Sequence, residues 1–375
     1  MITCQSFFDI LKKNEIDFFT GVPDSTFKDF INFLNDEHGK SLTNIIQASE
    51  CEATATATGY NLATGKIPIV YMQNSGLGKC VNPLTSLCDK EVYSIPIILM
   101  IGWRGQPNIH DEPQHKKMGR ITIPLLETLE IPYSLLSSDL TETEKIITEI
   151  KDKAEKTSSL VAIIVPSDIF EKYETKNSST KSFELNREDA IKIVVDNLEE
   201  KDIIVSTTGK CSRELYEYRV SKNESPNDFY TVGSMGCASS IAHAIALSKN
   251  NKKVFVLDGD GAALMQLGAF STIGHYPPEN FYHIILDNQT YDSTGEQPTN
   301  SPTVDFEKIA LACNYAHAKI VKTKFELEEC LKEMKNILGP FLIVIKVNPG
   351  SRKDLGRPKS SPLENKQEFI KKLRE

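Results

Sequence analysis

Short apolar runs of strand length alternate along the chain with longer stretches whose apolar positions recur every three or four residues, so strands and amphipathic helices succeed one another throughout. In the first half the pattern predicts strands at 17–20, 45–47, 67–72, 95–101, 133–136 and 160–165. Helices are expected at 3–14, 26–34, 50–64, 76–88, 123–130 and 142–156, with a polar loop at 103–120. A second series starts near Arg187, with strands at 203–206, 229–232, 254–257, 281–286, 318–321 and 341–347. Its helices are expected at 189–198, 211–219, 237–248, 262–275, 306–314 and 326–335. Between the two series, residues 172–182 (KYETKNSSTKS) are nearly free of apolar side chains, which is linker composition. Each half thus holds about six strands alternating with helices, the pattern of an open parallel sheet covered on both faces. The expected fold class is α/β, with two doubly wound parallel-sheet domains at 1–171 and 187–350, a linker at 172–186 and a basic tail at 351–375.

A length of 375 residues agrees with two cores rather than one. With 40% hydrophobic and 25% charged residues, neither disorder nor a fibre is expected. The formal charge of −8, without any lysine- and arginine-rich tract, argues against nucleic acid as a partner. An anionic substrate would need a local basic pocket. The eight cysteines contain no C-x-x-C pair and several lie in apolar segments, which reads as reduced thiols in a cytoplasmic protein and gives a zinc site little support. The amino-terminal segment has no signal-peptide pattern and the longest apolar run, 95–103, is too short to span a membrane, so no membrane association is expected.

The strongest chemical signal lies at 253–290. A strand meets the turn Asp258-Gly259-Asp260-Gly261, a helix follows from Ala262, and a second strand ends at Asp287-Asn288. Such a unit puts Asp260 and Asn288 at the carboxyl ends of neighbouring parallel strands, where open α/β sheets bind ligands. Both are hard oxygen donors, suited to Mg²⁺ or Ca²⁺. The first free amides of the helix from Ala262 would favour a phosphate beside them. Taken alone, Gly-Asp-Gly is more often only a turn. Rival readings fare worse. Gly259-Asp260-Gly261 and Gly76-Leu77-Gly78 both lack the third glycine of a dinucleotide fingerprint. Thr208-Gly209-Lys210 is followed by Cys211 where a P-loop needs Ser or Thr, and no G-x-S-x-G elbow occurs.

These residues resemble the signature of the thiamine diphosphate enzymes, in which Gly-Asp-Gly is followed, after a helix and a strand, by Asn-Asn. Here the first Asn is replaced by Asp287 and the second is Asn288. The resemblance implies that Asp260, Asn288 and the backbone carbonyl of Thr290 bind Mg²⁺, which clamps the cofactor diphosphate among Gly259, Gly261 and Ala262. It also implies that Glu50, in SECEATATATGYNLATG, hydrogen-bonds the aminopyrimidine ring and drives its proton transfers; Glu52 fits the spacing less well. Gly233-Ser234-Met235-Gly236 would supply the Gly233 carbonyl to the pyrimidine amino group, with Met235 as the wedge that bends the cofactor. The two halves leave no room for a middle domain. The stretches GVPDS (21–25), VYMQNSGLG (70–78), IGWRGQPNIHDEPQHKKMGR (101–120), DNQTYDSTGEQPT (287–299) and SRKDLGRPKSSP (351–362) resemble the phosphonopyruvate and sulfopyruvate decarboxylase family over nearly the whole chain.

The resemblance implies Mg²⁺- and thiamine diphosphate-dependent decarboxylation of phosphonopyruvate to phosphonoacetaldehyde and CO₂, in phosphonate biosynthesis. Sulfopyruvate is the alternative substrate, and an inert cofactor-binding protein is a third reading. A substrate carrying a carboxylate and a phosphonate needs cations. The segment 103–120 offers Arg104, His110, His115, Lys116, Lys117 and Arg120, of which only some are expected to touch it; arginine suits a bidentate contact. Asp24 matches an aspartate placed near the reacting carbon in related decarboxylases, and it could equally cap the next helix. Where pyruvate decarboxylases carry a catalytic glutamate after the metal-binding Asn, this chain has Thr294, with Glu296 two residues on, which leaves the proton donor open. The basic tail, with Arg352, Lys353 and Arg357, either closes over the site or is exposed. The family's cofactor lies between the first domain of one subunit and the second domain of its partner, which implies a homo-oligomer.

Overall fold

The computed structural model describes residues 1–176 and 183–375, so part of the expected linker lies outside the described residues. The chain divides into two compact units, Met1–Ser179 and Thr180–Glu375.

In the first unit, β1 (Phe18–Gly21), β2 (Thr43–Ile46), β3 (Ile69–Gln73), β4 (Ile98–Gly102), β5 (Tyr133–Leu135) and β6 (Val161–Val165) form one sheet in the order β2-β1-β3-β4-β6-β5. Every pairing is parallel. Because helices cover both faces, β4 and β6 are buried throughout and read as unbroken apolar runs rather than as alternation. One face packs on an aromatic cluster of Phe7, Phe8, Phe19, Phe30 and Phe170, in which Phe30 and Phe170 stack at 5.2 Å. The other face packs on small and aliphatic side chains, among them Ala53, Ala57, Leu77 and Leu126. The chain leaves β1 toward β2 on one side and returns to β3 on the other. This reversal puts the crevice for a ligand at the carboxyl ends of β1 and β3.

In the second unit, β7 (Leu185–Asn186), β8 (Ile203–Ser206), β9 (Phe229–Tyr230), β10 (Val254–Gly259) and β11 (Phe281–Asp287) come first in chain order. A small hairpin of β12 (Thr290–Tyr291) and β13 (Gln297–Pro298) follows, and then β14 (His317–Val321) and β15 (Phe341–Asn348). The main sheet runs β14-β15-β11-β10-β8-β9, with β7 paired to β15, and all its pairings are parallel. Its reversal falls between β8 and β10. Both units are therefore doubly wound parallel α/β sheets.

Three local expectations need correction. The polar loop ends at Glu112, because Pro113 opens the helix Pro113–Thr128; a proline fits the first helical turn, where its missing amide costs nothing. His115, Lys116, Lys117 and Arg120 accordingly lie on a helix. The helix expected at 262–275 begins at Asp260 and breaks into Asp260–Met265 and Gly268–His275. The tail is not merely exposed. It carries the helix Pro362–Arg374, started by a capping box between Ser361 and Glu364. That helix covers the edge strand β9, with Phe369 packed 5.2 Å from Phe229 and Asn365 bonding the Tyr230 amide and the Asp228 carbonyl. Arg352 is ion-paired to Glu188 and Glu217.

Among the described residues no helix is long and apolar enough to cross a membrane. Replacing the buried Phe369 by Ala is expected to destabilise the second unit by about 3 kcal/mol in denaturant unfolding. A loss below about 0.5 kcal/mol, the range of ordinary surface changes, would contradict the docking of the tail helix.

Candidate functional site

In the second unit the chemistry gathers at the carboxyl ends of β10 and β11. Asp260 is the first residue of its helix and is buried, and the Thr299 hydroxyl donates to its Oδ2. Burial first, and the nearby Asp287 charge second, push its carboxyl well above the usual carboxylate range. A cation beside Asp260 would oppose both effects. Glycine is required at 261, since a Cβ there would stand 2.6 Å from the Tyr291 ring. Just past β11, Asn288 Oδ1 accepts from the Thr290 amide at 3.1 Å in a turn where Gln289 takes φ 63°.

The Gly233–Gly236 turn packs against the same helix. Gly236, at φ 87°, lies so close that a Cβ would be 2.6 Å from Gln266 Cγ and 3.0 Å from the Ala262 carbonyl oxygen. The Gly233 amide donates to Thr208 Oγ1 at 2.9 Å at the end of β8, Ser234 is exposed and Met235 is half-buried. Gly259, Asp260, Gly261, Ala262 and the 233–236 turn are thus one neighbourhood, with the hairpin residues Tyr291 and Thr299 packed on it.

What anchors this loop leaves no mark in the sequence. Thr290 Oγ1 donates to Asp292 at 3.0 Å, and Asp292 is ion-paired to the buried Arg187. Arg187 also grips Glu214 through Nε at 2.7 Å and Nη2 at 2.9 Å, and donates to the Gly350 carbonyl at 3.2 Å. An arginine opening a helix carries no sign in one sequence that it is buried. Thr294 is held inside the hairpin by Gln297 at 2.9 Å, and Glu296 is exposed.

In the first unit, Glu50 starts the helix Glu50–Thr64 and is buried, whereas Glu52 is exposed. Gly76 makes room for it: a Cβ there would lie 2.4 Å from Glu50 Oε1. Glu50 Oε2 has no hydrogen-bond partner among the described residues, with Lys79 Nζ 3.6 Å away. Asp24 is seated in the same manner. A Cβ on Gly102 would stand 1.6 Å from its Oδ2, which likewise lacks a partner among the described residues. Its Oδ1 accepts from the Thr26 amide at 3.3 Å and from Gln73 Nε2 at 3.2 Å, so Asp24 does cap the helical turn after it. Burial raises its pKa, against the smaller opposing effect of these hydrogen bonds.

The basic segment is less open than its sequence suggests. The Arg104 guanidinium is clamped by Asp111 through bonds of 2.8 and 2.6 Å and donates to Ser25 Oγ at 2.7 Å. His115 is buried, and burial followed by the Arg104 charge holds its imidazole below the usual range. Lys116 is exposed. A cavity of about 270 Å³ is lined by Ser25, Thr26, Arg104, Gln106, His110 and Asp111 among others. Arg104 and His110 therefore share one cavity, and His115 and Lys116 are not among its lining residues. A larger cavity, about 480 Å³, includes Lys253 and Asn280 at the amino ends of β10 and β11, the opposite end of the sheet from Asp260.

The residues fit the implied groups. One buried carboxylate with neighbouring amide and carbonyl oxygens is a hard-donor set, and among the described residues no cluster of three or more His, Cys, Asp and Glu offers a different metal centre. Glu50 Oε2, without a hydrogen-bond partner among the described residues, is open to an outside group.

Comparison with known proteins agrees. Residues 1–122 match the family model described as thiamine pyrophosphate enzyme, N-terminal TPP binding domain, and residues 207–345 match the corresponding C-terminal TPP binding domain. The chain is 33% identical over 364 residues to phosphonopyruvate decarboxylase of Streptomyces viridochromogenes, covering 93% of this chain and 89% of that protein. It is 28% identical over 369 residues to sulfopyruvate decarboxylase of Methanosarcina acetivorans, covering 92% and 90%. A stretch of 154 residues is 44% identical to sulfopyruvate decarboxylase subunit beta of Methanocaldococcus jannaschii, covering 41% and 77%. With both binding domains matched and a relative of this identity aligned along nearly its whole length, the chain belongs to the thiamine pyrophosphate-dependent decarboxylases.

Proposed function

We propose that the protein decarboxylates phosphonopyruvate to phosphonoacetaldehyde and CO₂, using thiamine diphosphate and Mg²⁺. The observation that carries the reading is Glu50: buried, seated on Gly76 and left with an oxygen that has no hydrogen-bond partner among the described residues, where the family has its proton-handling glutamate. When bound, the cofactor supplies the electron sink for the charge left by departing CO₂, which no side chain provides.

The chain's residues do the rest. Asp260, Asn288 and the Thr290 carbonyl would hold the cation that binds the diphosphate. Glu50 would hold and move the proton at the pyrimidine ring, the Gly233 carbonyl would accept from the pyrimidine amino group, and Met235 would pack against the cofactor. Asp24, with its raised pKa, serves as proton carrier near the reacting carbon. Arg104 spends three bonds on Asp111 and Ser25 and keeps unspent N–H donors for the phosphonate. His110 and the Ser25 hydroxyl stand in the same cavity to bind the substrate. The enzyme acts in the cytoplasm as a homo-oligomer in which each cofactor is shared between the first domain of one subunit and the second domain of its partner. Eight free thiols support the compartment.

Sulfopyruvate is the second reading, favoured by the 44% identity of one stretch to a sulfopyruvate decarboxylase subunit. Comparing kcat/KM for phosphonopyruvate, sulfopyruvate and pyruvate separates them. The highest value is expected for phosphonopyruvate, and preference for either other acid would overturn that substrate.

Glu50→Gln is expected to lower kcat about 100-fold or more, the usual worth of a proton-transfer group, while sparing thiamine diphosphate binding. Unchanged turnover would remove Glu50 from the mechanism. Asp24 yields a stability test with a definite sign. Its folded pKa is raised, so its share of stability is present below the unfolded carboxylate pKa and is lost as pH rises through the folded value. Asn keeps the cap but carries no charge. Asp24→Asn should therefore be more stable than wild type at neutral pH, with the difference vanishing in acid, while activity falls; urea midpoints across pH that run parallel for the two proteins would contradict this.

A further inference from the structure

The turn that carries Asn288 is held from behind by a pair of side chains that the proposed chemistry does not use. Asp287 ends β11 and is fully buried, and Lys346 in β15 is its direct neighbour in the parallel register. Lys346, itself largely buried, is ion-paired to Asp287 Oδ2. Oδ1 accepts from the Ser301 hydroxyl at 2.6 Å and from the Gln289 amide at 3.2 Å. Both oxygens are engaged, and the Gln289 bond fixes the first step of the turn in which the Thr290 amide caps Asn288 Oδ1.

Asp260 lies one strand away, at the end of β10, and feels the Asp287 charge. Without Lys346, Asp287 would be a buried carboxylate with no counter-ion, free to swing out as an additional hard oxygen donor and compete for any cation. An Asn at 287 could accept the same two bonds with no counter-ion at all. The lysine is needed only because residue 287 is acidic.

We infer that Lys346 is a positioning residue for the cation site: it neutralises Asp287 and pins its carboxylate against β15, so that the 287–290 turn presents Asn288 and the Thr290 carbonyl while Asp287 stays out of the ligand set. This rests on the reading of Asp260 and Asn288 as cation ligands.

The test is Mg²⁺-dependent binding of thiamine diphosphate, followed by equilibrium dialysis, in wild type, Lys346→Met, Asp287→Asn and the double variant, with urea midpoints alongside. Lys346→Met should raise the Mg²⁺ concentration for half-saturation about tenfold or more, the usual effect of losing a group that orients metal ligands. The double variant should return it close to wild type. A lowered urea midpoint with unchanged Mg²⁺ dependence, or a folded double variant that is not rescued, overturns the inference. Should Lys346→Met fail to fold, the double variant decides alone: near-wild-type Mg²⁺ dependence supports the inference and a tenfold loss overturns it. Failure of the wild type itself to bind the cofactor with Mg²⁺ would instead overturn the underlying reading of the site.

Discussion

Burying a carboxylate without a complete set of partners is expensive, on the order of several kcal/mol for a charged group before relaxation. This fold does it at Glu50 and Asp24, and partly at Asp260. Glu50 and Asp24 are each seated on a glycine, Gly76 and Gly102, whose missing side chain leaves the room the carboxyl occupies. Each keeps one oxygen without a hydrogen-bond partner among the described residues, although Lys79 stands 3.6 Å from that of Glu50. A packed core has no use for such groups, whereas a binding site does, because the ligand completes them.

Several buried acids of the second unit show the contrast. Asp287 has Lys346 and the Ser301 hydroxyl, Glu214 and Asp292 share Arg187, and Asp228 is gripped by Arg219 and Lys372. Those acids are compensated within the unit and act as structural ties around the sheet and the cation loop. Incomplete satisfaction alone does not mark a ligand-facing acid, since Asp202, just before β8, also keeps an oxygen without a hydrogen-bond partner among the described residues; Glu50 and Asp24 are set apart by the glycine on which each carboxyl is seated.

Much of this was legible in the sequence. Runs such as Ile98–Gly102 and Val161–Val165 announce strands buried on both faces, and the Asp258-Gly259-Asp260-Gly261 turn after an apolar run announces the helix start that holds Asp260. The Ala-, Thr- and Gly-rich stretch after Ser49 marked its helix to the residue. What stayed hidden depends on packing between distant segments. Nothing local says that Gly76 faces Glu50, that Arg187 is buried under the 290 loop, or that Asp111 occupies most of Arg104. Composition made the tail look solvated, and only the partners of Asn365 and Phe369 on β9 show that it is part of the fold. The helix beginning at Pro113 has no apolar periodicity in its first two turns, so its sequence looks like a polar loop.

The most direct test of the account is a crystal structure of the protein grown with thiamine diphosphate and Mg²⁺. A cation held by Asp260 Oδ, Asn288 Oδ1 and the Thr290 carbonyl at about 2.1 Å is expected, with Glu50 Oε2 in hydrogen-bond contact with the pyrimidine ring. A cofactor bound with Glu50 Oε2 still partnerless, or a cation held without Asp260 and Asn288, would contradict it.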